Sequence, residues 1–460
     1  MDASTDDGRI RTGTVWTATA HAFTAIVGSG ILALPWSVAQ LGWILGPFFL
    51  VFFAAVTYYI AILLCDCYRT PDPVKGRRNY TYMDAVRALL GPKHVFISGM
   101  MQYSMLWGIM IGFTITTAIS IATMKRSTCF HEKGPNAKCG VSGNSYMLAF
   151  GALEILLSQF PNLEKVTFLS VIATLTSLAY ALIALCLSIV KFSSHQYEAK
   201  GTIMVAMAGK GLATSTKVWQ VFQALGNIAF SYTYSMLLVE IQDTLKSPPA
   251  ENKAMKRVTL YAIGGTALFY TSLGCMGYVA FGADVPGNFL TGFYKPLWLV
   301  DIANLAVIIH LIVGYQVFAQ TIFAINEKWL AATCQAPASF FNKIYTIRFQ
   351  CKQNYSFQFT PSRLLLRTGF VVFTTLVAML FPFFNAILGL LGSISFWPLT
   401  VYFPLNMYMV QAKIKRGNST WIMFQVLSLL CLMVTLVSAV GSVADILEHL
   451  KHAQLFHIDL

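Results

Sequence analysis

Charge is what this chain has least of. Only 11% of its 460 residues are Asp, Glu, Lys or Arg, where soluble domains carry about 25%. Such a composition excludes a soluble enzyme, a disordered chain and a fibrous protein. Cysteine is scarce as well, nine residues that sit mostly inside apolar runs, which excludes a disulfide scaffold. The apolar runs are continuous and lack the period-two alternation of a transmembrane barrel. Also missing are a Walker A loop, a TVGYG-type filter, an arginine-rich voltage sensor and an HExxH zinc motif. Nothing therefore points to ATP-driven pumping, a potassium-type pore or an enzyme. No cofactor and no metal site is expected, and the tail histidines His449, His452 and His457 are read as ordinary exposed side chains. Neither a cleavable signal nor a GPI tail is expected, the N-terminal stretch being acidic and the C-terminal one polar.

What is present is apolar surface: 56% of residues are hydrophobic, and the mean hydropathy is +0.62. One bilayer span needs about 20 apolar residues. Eleven helical runs are predicted, near 14–38, 42–66, 94–124, 146–160, 165–190, 217–243, 255–280, 298–326, 363–381, 386–410 and 420–445. The fold class expected is an all-α polytopic membrane protein whose environment is the lipid bilayer. The domain plan is a cytoplasmic tail over 1–13, one transmembrane domain over 14–445 and an extracellular tail over 446–460. Pro161-Asn162 reads as the turn between the short fourth run and the fifth. The 191–216 loop, with its apolar TIMVAMAG patch, is expected to dock on the helices.

The net charge of +13 lies in the short connectors, a topology signal and not a phosphate-tracking face, so no nucleic-acid partner is expected. With the N-terminus inside, 22 of the 32 Lys and Arg residues fall in inner segments. Cys129 and Cys139 then share one outer polar loop, where a disulfide can form and would stabilise by about 2–3 kcal/mol. The sequons at Asn79, Asn354 and Asn418 all fall inside, where glycosylation does not occur.

Two runs carry chemistry. Gly28-Ser29-Gly30 interrupts the first at mid-membrane, and each glycine costs a helix about 1 kcal/mol relative to Ala. An unwound helix there frees N–H groups for an anionic group; close packing through small residues is the competing reading. The sixth run has Gly226-Asn227 and Ser231 to Tyr234 in its middle. Interrupted helices at corresponding positions of two halves point to a transport site at the membrane midplane. Intramembrane ionisable groups are few and are functional candidates by default. His21 lies two turns before Gly28, and His310 sits deep in the eighth run with Asp301 and Asn304 before it. These make His21, His310 and Asp301 candidates for carrying a coupled proton. Glu240 and Asp243 close the sixth run as gate or interface groups, and Glu154 is expected to find a basic partner.

RTGTVWTATAHAFTAIVGSGILALPW followed by AQLGWILGP resembles the opening of the plant amino acid permeases. These belong to the amino acid/auxin permease group of the amino acid–polyamine–organocation superfamily. GNIAFSYTYSMLLVEIQDTLKSPP, FYTSLGCMGYVAFG, DIANLAVIIHLIVGYQVFAQ and FPFFNAILGLLGSISFWPLTVYFP are similar to later blocks of the same family. The resemblance implies a leucine-transporter-type fold: two inverted repeats of five helices, about 14–190 and 217–410, plus one extra helix at 420–445. It implies proton–amino acid symport at the plasma membrane with the proton as coupling ion; the oligomeric state is left open, a monomer being the expectation. By similarity, the amides of Ser29, Gly30 and Ile31 would hold the substrate carboxylate. Carbonyls of Ile26, Ala229, Phe230 and Thr233 would meet its ammonium, with Phe230 and Ser231 shaping the pocket. Gln102, Tyr103 and Asn304 would line it. Asn227 is a departure, standing where the family is associated with an acidic residue, so neutral and acidic substrates are expected and basic ones left open. An auxin-like organic acid carrier of the same fold, a non-transporting amino acid sensor and a channel are the alternatives, separable by substrate competition, by accumulation and by saturation.

Overall fold

In the computed structural model the chain is a bundle of helices whose apolar side chains face outward along its flanks, Leu429, Leu430 and Met433 among them. The structure describes residues 11–134, 137, 139–140, 142–160, 167–194, 200–203, 214–333, 345–350 and 354–452. Fourteen α-helices are present among them: α1 Val15–Ile26, α2 Leu34–Cys65, α3 Tyr82–Leu90, α4 Pro92–Lys133, α5 Gly143–Ser158, α6 Thr167–Ser194 and α7 Thr214–Ser231. Then follow α8 Ser235–Asp243, α9 Glu251–Phe281, α10 Leu297–Thr333, α11 Pro361–Leu380, α12 Phe384–Ser395, α13 Phe403–Gln411 and α14 Ser419–His452. Two antiparallel pairs, β1 Arg69–Thr70 with β2 Arg77–Arg78 and β3 Tyr345–Gln350 with β4 Asn354–Phe359, are small additions in the connectors. Eight helical segments are long and apolar enough to cross a membrane, and each of the eleven expected runs coincides with helix.

The first helix is broken as expected. Thr14 caps α1 and exchanges bonds with Thr17, α1 stops at Ile26, and after Gly28 a 3-10 turn over Ser29–Ala33 leads into α2. The boundary between the first and second runs falls at Gly42, whose φ of 80° suits a residue without a Cβ. Beyond it the amides of Trp43 and Ile44 lose their helical acceptors and donate to the Thr202 and Ile203 carbonyls. This segment of the 191–216 loop does dock on the bundle, while 204–213 and the Pro161-Asn162 turn lie outside the described residues. The sixth run is likewise two helices, α7 and α8, separated by Tyr232–Tyr234.

Two expectations need correction. The third helix runs nine residues past its expected end, to Lys133, because Lys125 and Arg126 continue the helix into a polar region that a hydropathy reading cuts off. The connector after α2, which lies outside every expected run, contains α3. Thr81 caps it, and Tyr82, Ala85 and Val86 bury a single face at three- and one-residue spacing, a stretch too short and too polar to register as a span.

The N-terminal end of the bundle is held by buried charge. Glu251 accepts from Arg69 at 2.8 Å and Arg78 at 3.0 Å, with all three side chains at most 2% exposed. Lys256 meets Asp66 at 2.7 Å. At the opposite end Cys129 and Cys139 form the expected disulfide.

Candidate functional site

The two breaks touch. A Cβ on Gly30 would stand 2.8 Å from Ser231 Oγ and 3.0 Å from the Phe230 ring. Glycine is thus what allows the first break to reach the second. The Ser29 and Gly30 amides donate to no oxygen among the described residues, because the helix that would supply acceptors ends at Ile26. Across from them, α7 ends with Thr233 Oγ1 on the Ala229 carbonyl (2.9 Å) and Ser231 Oγ on the Asn227 carbonyl (2.9 Å). The Phe230 carbonyl accepts from the Thr233 amide at 3.0 Å, while the Thr233 carbonyl accepts nothing among the described residues.

The first break is braced from behind by two tyrosines. Tyr270 of α9 donates to the Ile26 carbonyl at 2.8 Å, and Tyr180 of α6 donates to the Gly28 carbonyl at 3.0 Å. Both rings are fully buried. Their spacing relative to the break carries no local sequence signal, so they were not among the expected residues.

A cavity of about 350 Å³ opens from the breaks, within the usual range for a small-molecule site. Of the expected residues it is lined by His21, Ile26, Ser29, Gly30, Phe230, Ser231, Thr233 and His310. Met105, Ile109 and Phe113 of α4 and Phe318 of α10 form its apolar wall, so a substrate side chain meets hydrocarbon while its charged groups meet backbone. Gln102, a turn before Met105, and Tyr103, on another face of α4, lie away from the cavity, and Tyr103 donates to Asn326 at 3.3 Å. Asn304 lies off it too, bonded to the Val300 carbonyl of its own helix, as do Asp301 and the side chains of Ile31 and Ala229.

His310 is buried, with Nδ1 2.9 Å from the Ala173 carbonyl and its ring edge-on to Tyr180. His21 is exposed at the cavity's mouth. Glu240 also lines the cavity; one carboxylate oxygen accepts from the Tyr82 amide at the start of α3 and the other has no partner among the described residues. Asp243 fastens the chain entrance, accepting from Arg11 at 2.9 Å and from the Tyr68 hydroxyl at 2.6 Å. Glu154 differs from expectation. It takes the Gln316 amide at 2.6 Å in place of a basic partner, because the nearby Arg367 is engaged by Glu327 and the Ser158 carbonyl.

The cavity descends past Glu240, Thr244 and Thr321 toward the end that carries the N-terminus. At the other end it is roofed by the Phe289–Gly292 turn, packed on the first break, and by the mutually perpendicular rings of Phe281, Phe289 and Phe293. No cluster of metal-ligating side chains is present among the described residues.

A family model described as transmembrane amino acid transporter protein matches residues 11–448. Amino acid permease 4 of Arabidopsis thaliana is 50% identical over 432 residues, 93% of this chain and 91% of that protein. Lysine histidine transporter-like 6 of the same plant is 30% identical over 417 residues, 89% of this chain and 85% of the relative. Among solved structures, MhsT in complex with L-phenylalanine superposes with a TM-score of 0.54 at 10% identity, covering 95% of this chain and 100% of that one. Mhp1, a nucleobase-cation-symport-1 family transporter in a closed conformation with bromovinylhydantoin bound, gives 0.52 at 12% identity, covering 96% and 93%. At such identities the likeness establishes the fold, and it is the leucine-transporter-type architecture expected from the sequence.

Proposed function

The chain belongs to the transmembrane amino acid transporter family, and from that premise we propose that it is a proton-coupled symporter importing amino acids by alternating access. The observation that carries this reading is the pairing of the breaks. Two unengaged amides, Ser29 and Gly30, open on the same cavity as the free Thr233 carbonyl. A zwitterion needs donors for its carboxylate and acceptors for its ammonium, and backbone atoms supply both without regard to the side chain. The apolar wall of Met105, Ile109, Phe113 and Phe318 supports neutral substrates of several sizes.

In this reading the substrate carboxylate takes the Ser29 and Gly30 amides, where the helix dipole adds to the attraction. The ammonium turns to the Thr233 carbonyl, because Tyr270 already occupies the Ile26 carbonyl. The cavity's opening at the N-terminal end corresponds to release into the cytoplasm. Arg69, Arg78 and Lys256 gather at that end, and the disulfide lies at the other; both support a cytoplasmic N-terminus in the plasma membrane. Burial of the Asn79 amide, which donates to the Cys67 carbonyl at 3.0 Å, fits a sequon that is never glycosylated.

His310 and His21 are the histidines of the cavity and the proposed carriers of the coupled proton. The test is current and labelled uptake in oocytes expressing the chain, perfused with neutral, acidic and basic amino acids without sodium. Substrate-dependent inward current that grows in acid is the expected result. Saturable binding without current or accumulation would overturn transport in favour of a sensor. In the protein carrying both His21→Gln and His310→Gln, the acid stimulation is expected to be lost; unchanged pH dependence would remove the histidines from the mechanism.

A further inference from the structure

The half of α7 next to the break carries three polar side chains one turn apart, Gln223, Asn227 and Ser231, at 0%, 0% and 3% exposure. Their stripe ends at the substrate cavity, which Ser231 lines. Facing it, α14 presents Ser438, Ser442, Asp445 and His449, spaced so that all four share a helix face. The two stripes meet. Gln223 donates to Asp445 Oδ2 at 3.1 Å, and His449 Nδ1 stands 3.5 Å from the same oxygen. Ser438 Oγ lies against Gly226, where a Cβ would overlap it, and Ser442 Oγ lies against Gly389 of α12.

Along this seam, buried polar atoms find no partner among the described residues: Gln223 Oε1, both amide atoms of Asn227, and the hydroxyls of Ser438 and Ser442. In an apolar bundle each such atom is costly to leave unpaired, and five of them in one line are out of keeping with ordinary small-residue packing. Because α8 ends beside Arg11, the start of α7 lies at the opposite end of the bundle, and α14 returns to it. The exposed His449 is thus at the end where the cavity is roofed. The seam runs from that surface to the substrate site by a route the cavity does not provide.

We infer that the α7–α14 seam is a hydrated proton entry path, with the Asp445–His449 pair as its outer mouth and the cavity as its destination. The inference rests on the symport reading above. The proton is taken from outer water by Asp445 or His449 and passed to water held by Gln223, Asn227 and the two serines. It reaches the cavity, where His21 and His310 can accept it, and Asp445 is left ionised for the next proton. The groups acting on Asp445 are His449 and Glu448 of its own helix, Glu448 being paired with Lys451, and the neutral Gln223 of α7. The α12 segment has no titratable side chain, and the Phe383 ring before it lies tilted against His449 at 5.0 Å.

The experiment uses the full chain in proteoliposomes, comparing wild type with Asp445→Asn and Asn227→Leu. Accumulation of a labelled neutral amino acid under an inward acid gradient is measured beside counterflow at equal pH. Both variants are expected to lose most of the gradient-driven accumulation and its acid stimulation while keeping counterflow, which also reports that they fold. As a second measurement, cysteines placed by Ser438→Cys and Ser442→Cys are expected to react with a water-soluble thiol reagent from outside. Wild-type accumulation in both variants, or unreactive cysteines in folded protein, overturns the inference alone. Wild-type protein that exchanges amino acids but ignores the acid gradient overturns the symport reading, and the seam's role with it.

Discussion

At the scale of single residues, the site depends on one missing side chain. Gly30→Ala would set a methyl group against both Ser231 and the Phe230 ring, pushing apart the two breaks whose backbone groups face the same cavity. Folded protein at the surface with uptake reduced about tenfold or more is the expected outcome, each factor of ten being about 1.4 kcal/mol of lost site stabilisation; normal uptake would show that the close approach is unnecessary. A different residue carries stability. Glu251 is the shared carboxylate for two buried guanidiniums, so Glu251→Ala leaves both without it. Removing one member of such a buried ionic group costs about 3–5 kcal/mol, which denaturation in detergent micelles would read directly.

At the scale of elements, α1 is fixed at both ends and by different means. Its break is braced by tyrosines from α6 and α9. Its foot is attached to α8 by Arg11 on Asp243, with Gly13 bonded to Thr244 and Lys246 along the backbone. The chain entrance and the inner half of the sixth run therefore behave as one unit on the cavity's open side. Asp243→Asn removes the ion pair, worth about 1–3 kcal/mol for a charge-assisted bond of this burial. Hydrogen exchange over residues 11–20 should accelerate with α9 and α10 unaffected. Equal exchange in both proteins would mean that the backbone bonds alone hold the foot.

At the scale of the whole molecule, the cavity is open at one end and roofed at the other, as the proposed alternating access requires of one of its two end states. The roofed end carries the Cys129–Cys139 disulfide, which closes a short ring beyond α4. Cys139→Ser should lower stability by about 2–3 kcal/mol in a thermal melt while leaving amino acid uptake nearly intact, since the ring lies away from the cavity. Loss of uptake in stable protein would instead make that loop part of the roof's movement.

The sequence by itself determined the helical class, the eleven runs, both breaks, the disulfide pair and the histidines at the cavity. All of these rest on local facts: apolar length, glycine in a helix, or a polar residue inside an apolar run. Tertiary structure alone decided which polar residues meet. Gln102, Tyr103 and Asn304 lie off the cavity, whereas Met105, Ile109 and Phe113 of the same long helix α4 line it. A turn's difference along a helix keeps the face but changes the depth a side chain reaches, and crossing angles decide which turns meet the cavity, not composition. Tyr180 and Tyr270 hold the first break from helices about 150 and 240 residues distant in sequence, and Gln223 meets Asp445 across 222 residues. Such bonds have no trace in any local window, because burial and partner are properties of the packed bundle.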